Sequence, residues 1–461
     1  MTKRKPPVET GDEVIVKIED YASEGEGIAR INGFTIFIQG ALVGEEVKIS
    51  IETVKKTYAR GGLLDKGILT PSPSRIEPSC PFYPDCGGCQ LLHQTYKEQL
   101  LMKQQRLTDV LSRIGGITDA IIHQIIGMDN PWHYRNKAQY PFGEKDDRII
   151  AGCYRKRTHQ VINTPDCKIQ HPKNNEIIEG VRKLAGKLGL PVYDEKTHKG
   201  FLRHVLVRRA YKTGEISVAL VTNGSYFPEG EKFAKELAEK FTDIKSIVQN
   251  INPTRGNKIL GDKTIILWGK EGIIDTIGDL EFQISPSSFY QVNPVQMLIL
   301  YKKAIEFANL SGHENVLDIY CGVGTLTLFL AKNAKEVYGI ESNKHSIESA
   351  IKNTNRNGIK NAHFIAGFAE KVLPALTRTG RIFDVAVLDP PRAGCQLEVL
   401  KTLASLKINR IIYVSCNPGT LARDLKILTQ LGYKAKDVQP VDMFPQTCHV
   451  ECVVLMSRVE K

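Results

Sequence analysis

Asp318-Ile319-Tyr320-Cys321-Gly322-Val323-Gly324, running into Thr325-Leu326-Thr327-Leu328-Phe329-Leu330, is the stretch that decides the fold. Residues 315–320 read as a buried strand that ends in a Gly-x-Gly turn, and an apolar helical pattern follows at once. A lone Gly-x-Gly is weak, but its context strengthens it. Glu341 closes the next strand-like run, and an acidic residue there suits ribose hydroxyls. The third glycine of the dinucleotide fingerprint is missing. A nucleoside cofactor without a pyrophosphate, such as S-adenosylmethionine (SAM), therefore fits better than NAD.

Strand and helix patterns alternate outward from this loop. Residues 315–320, 336–340, 361–365, 383–388 and 411–414 read as strands with helices between them. That alternation predicts a doubly wound, Rossmann-like parallel sheet over residues 284–461. Residues 433–441 and 450–456 come last with no helix between them, so an antiparallel hairpin is expected at the sheet edge. Asp389-Pro390-Pro391-Arg392 closes a strand at the carboxyl end of the sheet, where ligands of open α/β sheets bind. It resembles the Asp/Asn-Pro-Pro-aromatic motif of amino-group methylases. Arg392 replaces the aromatic ring, which argues against adenine-N6 chemistry.

Ser415-Cys416-Asn417-Pro418 sits where a strand-like run meets a helical one. A thiol there faces unpaired backbone N–H groups and the positive end of a helix dipole, which predicts a favoured thiolate. A nucleophilic cysteine has a specific use on a pyrimidine. Uracil C5 attacks an electrophilic methyl group only after a thiolate has added at C6, and a base must then remove the C5 proton. Glu451, at the start of the last strand, fits as that base, and His449 competes on spacing alone. Cys321, Cys395, Cys448 and Cys452 read as small buried residues.

Upstream, residues 11–64 show five short strands separated by glycines and a basic run at residues 55–60. This predicts a small β-barrel of the OB type, a fold that often binds oligonucleotides. A proline-rich linker, Thr70-Pro71-Ser72-Pro73-Ser74, follows. Next comes an amphipathic helix with Leu100, Leu107, Val110, Leu111 and Ile114 on its apolar face. Residues 75–283 read as an α+β region. Its basic and aromatic stretches, residues 132–137 and Arg203-His204, are candidates for contact with phosphates or stacked bases.

The formal net charge of +11 suggests a polyanionic partner, and 42% hydrophobic with 25% charged residues is ordinary for a globular protein. No apolar run is long enough to cross a bilayer, and the basic N-terminus lacks the apolar segment of a secretory signal. A cytoplasmic location without membrane contact is expected, and no obligate protein partner is evident. Ten cysteines in such a compartment point to metal binding or catalysis rather than disulfides. Cys80, Cys86 and Cys89 cluster, with Cys167 or Cys153 as a fourth ligand for zinc or iron–sulfur.

Phe289-Tyr290-Gln291-Val292-Asn293, residues 318–324, residues 389–392, Ser415–Pro418 and residues 442–451 together resemble the RNA 5-methyluridine methyltransferase family. The front barrel is similar to its TRAM domain. By that resemblance Gln291, Tyr320, Glu341 and Asp389 contact SAM, Cys416 is the nucleophile, Glu451 the general base, and Phe289 lies where RNA enters. The cysteine spacing resembles the [4Fe–4S] site of the ribosomal RNA members, which implies Cys80, Cys86, Cys89 and Cys167 as ligands. The resemblance implies three domains: a TRAM/OB-like RNA-binding barrel over 1–65, a cluster-bearing central domain over 75–283, and a SAM-dependent methyltransferase domain over 284–461. It implies 23S ribosomal RNA as substrate, with a tRNA T-loop uridine as the close alternative. The rival from another class is a non-catalytic RNA-binding assembly factor.

Overall fold

The computed structural model describes residues 5–286 and 288–459. The first four residues of the basic N-terminus lie outside that range. The chain divides into two compact units. One holds residues up to Thr108 together with Phe444–His449, and the other holds Asp109–Met443 together with the residues from Val450 onward.

In the first unit, strands Glu13–Lys17, Asp20–Tyr21, Gly27–Ile31, Phe34–Ile38, Glu46–Val54 and Tyr58–Thr70 form one sheet. Its order is 13–17, 46–54, 58–70, 34–38, 27–31, 20–21. Alternation explains the burial: Val47, Ile49 and Ile51 point inward with Ile36, Ile38 and Ala59, while their neighbours face outward. The last strand is longer than its sequence suggests, since three register shifts along its pairing with 46–54 let it bend. At one of these bends a Cβ on Gly67 would lie 2.4 Å from the Lys48 carbonyl oxygen, so only glycine permits the approach.

Helix Tyr96–Val110 departs from the expected apolar face. Leu107 is buried, as is Leu111 in the wider turn Leu111–Gly115 that follows, but Ile114 there is 48% exposed, and Gln99, Met102 and Lys103 are buried instead. The polar residues have a backbone to hold. The Gln99 amide donates to the Gln446 side-chain oxygen (2.8 Å) and accepts from the Gln446 N–H (3.0 Å). Lys103 donates to the Phe444 carbonyl (3.1 Å) and Arg106 to that of Cys448 (2.9 Å). Hydrophobic periodicity cannot foresee a helix face chosen by carbonyl groups so distant in the sequence.

The second unit carries two large sheets. The first orders its strands Val161–Asn163, Arg148–Tyr154, Lys137–Lys145, Leu202–Arg209, Ile216–Thr222, Ile244–Ile251, Lys263–Gly269. Helices Pro172–Lys187 and Gly230–Lys240 contribute Ile177, Val181, Phe233 and Leu237 to a core with Val205, Val207, Val218 and Leu220. The second sheet orders its strands Ala362–Ala366, Glu336–Glu341, Asn315–Ile319, Val385–Leu388, Arg410–Ser415, Glu451–Arg458, Tyr433–Val441, Ile121–Ile122. Its first five strands are parallel, and the order reverses direction at Asn315–Ile319. That reversal opens a crevice at the carboxyl ends.

The expected hairpin forms, with Tyr433–Val441 antiparallel to Glu451–Arg458. Its later strand inserts beside Arg410–Ser415, and the sheet ends on the two-residue strand Ile121–Ile122 rather than on the hairpin. Two residues carry too little pattern to be read as a strand. Among the described residues, no helix is long and apolar enough to cross a membrane.

Candidate active site

Register brings the candidate residues to one edge of the second sheet. Ile319 pairs with both Ile340 and Leu388, so Tyr320, Glu341 and Asp389 follow the last rungs of neighbouring strands. Ser415 pairs with Cys452, so Cys416 and Glu451 lie one residue beyond that rung on adjacent antiparallel strands.

The glycine loop is shaped by left-handed backbone at Tyr320 (φ 70), Gly322 (φ 55) and Gly324 (φ 80). Gly324 also passes close to its neighbours: a Cβ there would come 3.0 Å from the Phe364 ring. The Glu341 carboxylate accepts from the N–H groups of Gly322 (3.3 Å) and Asn343 (2.8 Å), and Glu341 is only partly buried at the strand end. A half-buried carboxylate beside a glycine turn is chemically suited to ribose hydroxyls. Gln291 is buried, and its carbonyl accepts from the Asn136 amide (3.1 Å).

The carboxyl groups form a stack along the strand ends. Asp318 is buried, accepts from the Thr327 hydroxyl at 2.5 Å, and is pushed up to about 6 by burial. Burial, with the nearby Asp318 charge, pushes Asp389 up to about 7. Burial, with the Asp389 charge, pushes Glu451 up to about 8, while Arg392 pulls it down. Tyr301 on helix Pro294–Ala308 lies within range of Asp389, Asp318 and Glu451, and its phenol is pushed up by burial and these charges. Closely spaced carboxyl groups in low dielectric resist simultaneous ionisation.

Burial, with this stack beside it, reverses the sequence expectation for Cys416. Burial, Glu451 and Asp389 push its thiol up, and Arg392 and its own N–H only partly offset them. The helix start is present, with Pro418–Gln430 capped by Asn417, but burial, together with the two carboxyl groups beside the thiol, outweighs it. Cys416 is nonetheless the accessible thiol here. It is partly exposed, whereas Cys321, Cys395 and Cys452 are buried and pushed up by burial.

The sequence did not single out the frame behind this edge. Asp424 is fully buried and accepts from the Tyr413 hydroxyl (2.6 Å), the Cys395 N–H (2.8 Å) and Arg423 (2.8 Å). Arg423 also donates to the Ala393 carbonyl (2.9 Å), while Asn417 and Thr420 both donate to the Arg392 carbonyl (3.1 Å each). Together these bonds fix the loop after Asp389-Pro390-Pro391 on the helix that follows Cys416. The only trace in the sequence is Asp424 and Thr420 on that helix.

Other candidates stand elsewhere. Phe289 is 69% exposed. Arg203 is buried, donates to the carbonyls of Asn252 (2.6 Å) and Thr254 (2.7 Å), and lies over the Tyr193 ring, so it serves as an internal clamp. His204 is buried and pushed down to about 4, so it is neutral at physiological pH. His449 and Cys448 belong to the first unit with Phe444–His449, and Glu451 belongs with Cys416 to the second. Cys80, Cys86 and Cys89 belong to the first unit and Cys167 to the second. Among the described residues, no three His, Cys, Asp or Glu side chains gather as a metal-holding group.

Comparison with known proteins adds to this geometry. Residues 95–459 match the family described as tRNA (Uracil-5-)-methyltransferase, and residues 7–64 match the TRAM domain. A Bacillus cereus relative described as an uncharacterized RNA methyltransferase is 49% identical over 460 residues, covering 100% of both chains. A Clostridium tetani relative of the same description is 47% identical over 99% of this chain and 98% of its own. The crystal structure of Pyrococcus abyssi tRNA (uracil-54, C5)-methyltransferase in complex with S-adenosyl-L-homocysteine matches with a TM-score of 0.77 at 29% identity. That match covers 96% of this chain and 99% of that one. The chain belongs to the tRNA (Uracil-5-)-methyltransferase family and carries a TRAM domain at its front.

Proposed function

We propose that this SAM-dependent RNA uracil-C5 methyltransferase acts on 23S ribosomal RNA, with Cys416 as nucleophile and Glu451 as general base. The observation that carries the mechanism is the placement of a partly exposed thiol and a buried carboxyl group on adjacent strand ends. Bound SAM supplies an electrophilic methyl group. The Cys416 thiolate adds to uracil C6, and the electron pair moved to C5 forms the new C–C bond as S-adenosylhomocysteine leaves. Glu451, as carboxylate, takes the C5 proton, and elimination expels the Cys416 thiolate to give 5-methyluridine. The uridine must leave its stack to reach Cys416, which a looped RNA makes easier. Gln291, Tyr320, Glu341 and Asp389 are the proposed SAM contacts in a Rossmann-like domain over 284–461; the common position of Tyr320, Glu341 and Asp389 at the strand ends supports them, and Gln291 rests on the family resemblance.

The ribosomal assignment is supported by the resemblance of the OB-like TRAM barrel (1–65) and the cysteine spacing of the central domain (75–283). A [4Fe–4S] cluster on Cys80, Cys86, Cys89 and Cys167 has that spacing alone in its favour, and no step of the reaction runs through it. A tRNA uridine is the second reading, favoured by the similarity to the Pyrococcus abyssi enzyme along nearly the whole chain.

The test is incubation with SAM and 5-fluorouridine RNA, because fluorine at C5 blocks the elimination. A covalent adduct that survives a denaturing gel and vanishes in Cys416→Ala supports the mechanism; its persistence in that variant overturns it. Nucleoside mass spectrometry of unmodified 23S rRNA and tRNA, incubated with methyl-labelled SAM, then separates the two substrates.

A further inference from the structure

In the first sheet of the second unit, Lys137 and Arg208 sit directly opposite each other on antiparallel strands. Like charges on facing rungs destabilise a sheet. Arg208 is only 3% exposed. One guanidinium nitrogen donates to the Ser288 carbonyl (2.9 Å), and its Nη1 is buried with no hydrogen-bond partner. Arg135, two residues before Lys137, likewise has a buried Nε without a partner. Among the described residues, none of the three forms an ion pair with a carboxylate. Asp275 takes the Tyr290 hydroxyl (2.9 Å) and the N–H groups of Tyr211, Lys212 and Thr276, so its oxygens are already engaged.

A buried cation such as Arg208, flanked by the partly buried Lys137 and Arg135 and without a counter-ion, carries a desolvation cost that a bound anion would relieve. The strain is visible in Lys137, which is pushed down to about 8 by burial and by the charges of Arg208 and Arg135. The backbone around the cluster belongs to the proposed active site. Asn136 donates through its N–H to Val292 (2.8 Å) and through its amide to the Gln291 carbonyl (3.1 Å), and Arg208 holds Ser288. Between those anchors Phe289 stands exposed.

We propose that Lys137, Arg208 and Arg135 form a subsite for one backbone phosphate of the substrate RNA, with Phe289 beside it as the platform for an adjoining base. The proposal rests on the RNA-methyltransferase reading above. An exposed ring next to a phosphate anchor holds a single strand by one stacked base and one charge-assisted contact. Such a contact fixes register without reading sequence, which suits the presentation of one uridine to Cys416.

The test uses the full-length protein and fluorescently labelled RNA, with affinity measured without SAM over a salt series. Lys137→Met should weaken RNA binding about tenfold and lower the slope of log affinity against log salt by about one. Phe289→Ala should weaken binding while leaving that slope as it was. Arg208→Lys is the second cationic variant, and Lys145→Met on the same strand is the control for charge loss at large. An unchanged affinity and slope in Lys137→Met overturns the subsite. A loss of SAM affinity in place of RNA affinity also overturns it, because the anion would then be the carboxylate of SAM. Binding is read without turnover, so absent methylation combined with the predicted slope would sink the catalytic reading and spare the subsite.

Discussion

Cys416 and Glu451 each lie one residue past the pair Ser415–Cys452, where two antiparallel strands stop pairing. This places the proposed nucleophile and base on backbones fixed by a shared ladder rather than on separate loops. Removing the base should therefore leave addition and methyl transfer possible and block only release. With ordinary RNA and SAM, Glu451→Gln should accumulate a methylated covalent adduct on a denaturing gel. Turnover should fall about 10²- to 10⁴-fold. No adduct from a folded variant that binds SAM would assign the proton to another group.

The elevated carboxyl groups set a pH profile. Glu451 must be ionised to accept a proton, and its carboxyl is pushed up to about 8. The methylation rate should rise with pH toward 8, and the Cys416 thiol, also pushed up, works in the same direction. Stability runs the opposite way. The folded pKa exceeds the ordinary 4.5, so the folded state keeps a proton that the unfolded chain releases. The associated stability is complete below about 4.5 and is lost as pH rises through about 8. Denaturant unfolding from pH 5 to 8.5 should show this decline, and Glu451→Gln should flatten it.

Asp424 receives three donors at zero exposure. Asp424→Ala leaves the Tyr413 hydroxyl and the Cys395 N–H buried without their acceptor. A loss of about 2–4 kcal/mol is expected in denaturant unfolding. A variant as stable as the parent would show that the frame reorganises freely.

Asn417 caps helix Pro418–Gln430 through the Gly419 N–H (3.0 Å) and holds the Arg392 carbonyl. Asn417→Ala should cost about 1 kcal/mol of stability. Its larger effect should fall on turnover, by about tenfold, because the Asp389–Cys395 loop shifts beside the nucleophile. SAM affinity, measured by calorimetry, should stay at the parent value. Equal losses in both would mean that the cap supports the whole crevice.

The sheet edge that gathers the candidate residues was legible because they sit at strand ends. Tyr320, Glu341, Asp389 and Cys416 each close or follow a largely apolar run at a strand end, a pattern one sequence displays. What stayed hidden depends on partners far away in the chain. The strand Ile121–Ile122 exists only because Asp437–Val438 offers it an edge. Gln99 and Lys103 are buried because they meet Phe444 and Gln446. The thiol of Cys416 looked activated because its own helix is visible in the sequence, whereas its proximity to Asp389 and Glu451 is not. The domain limits at 65, 75 and 283 followed from strand and helix patterning, the proline-rich linker and the family resemblance. Contact divides the described chain differently, assigning six residues near the C-terminus to the N-terminal unit.

Those six residues bear on how such proteins can be recombined. Phe444–His449 is tied through Gln99, Lys103 and Arg106 to its own unit, yet it enters from Met443 and leaves through Val450, both of the other. The front of this protein is therefore not a detachable cassette, although the sequence presents it as one. A chimera that exchanges residues before 109 with those of a relative must carry matched residues 444–449 as well. Otherwise the six residues just upstream of Glu451 would lose their hydrogen-bond partners.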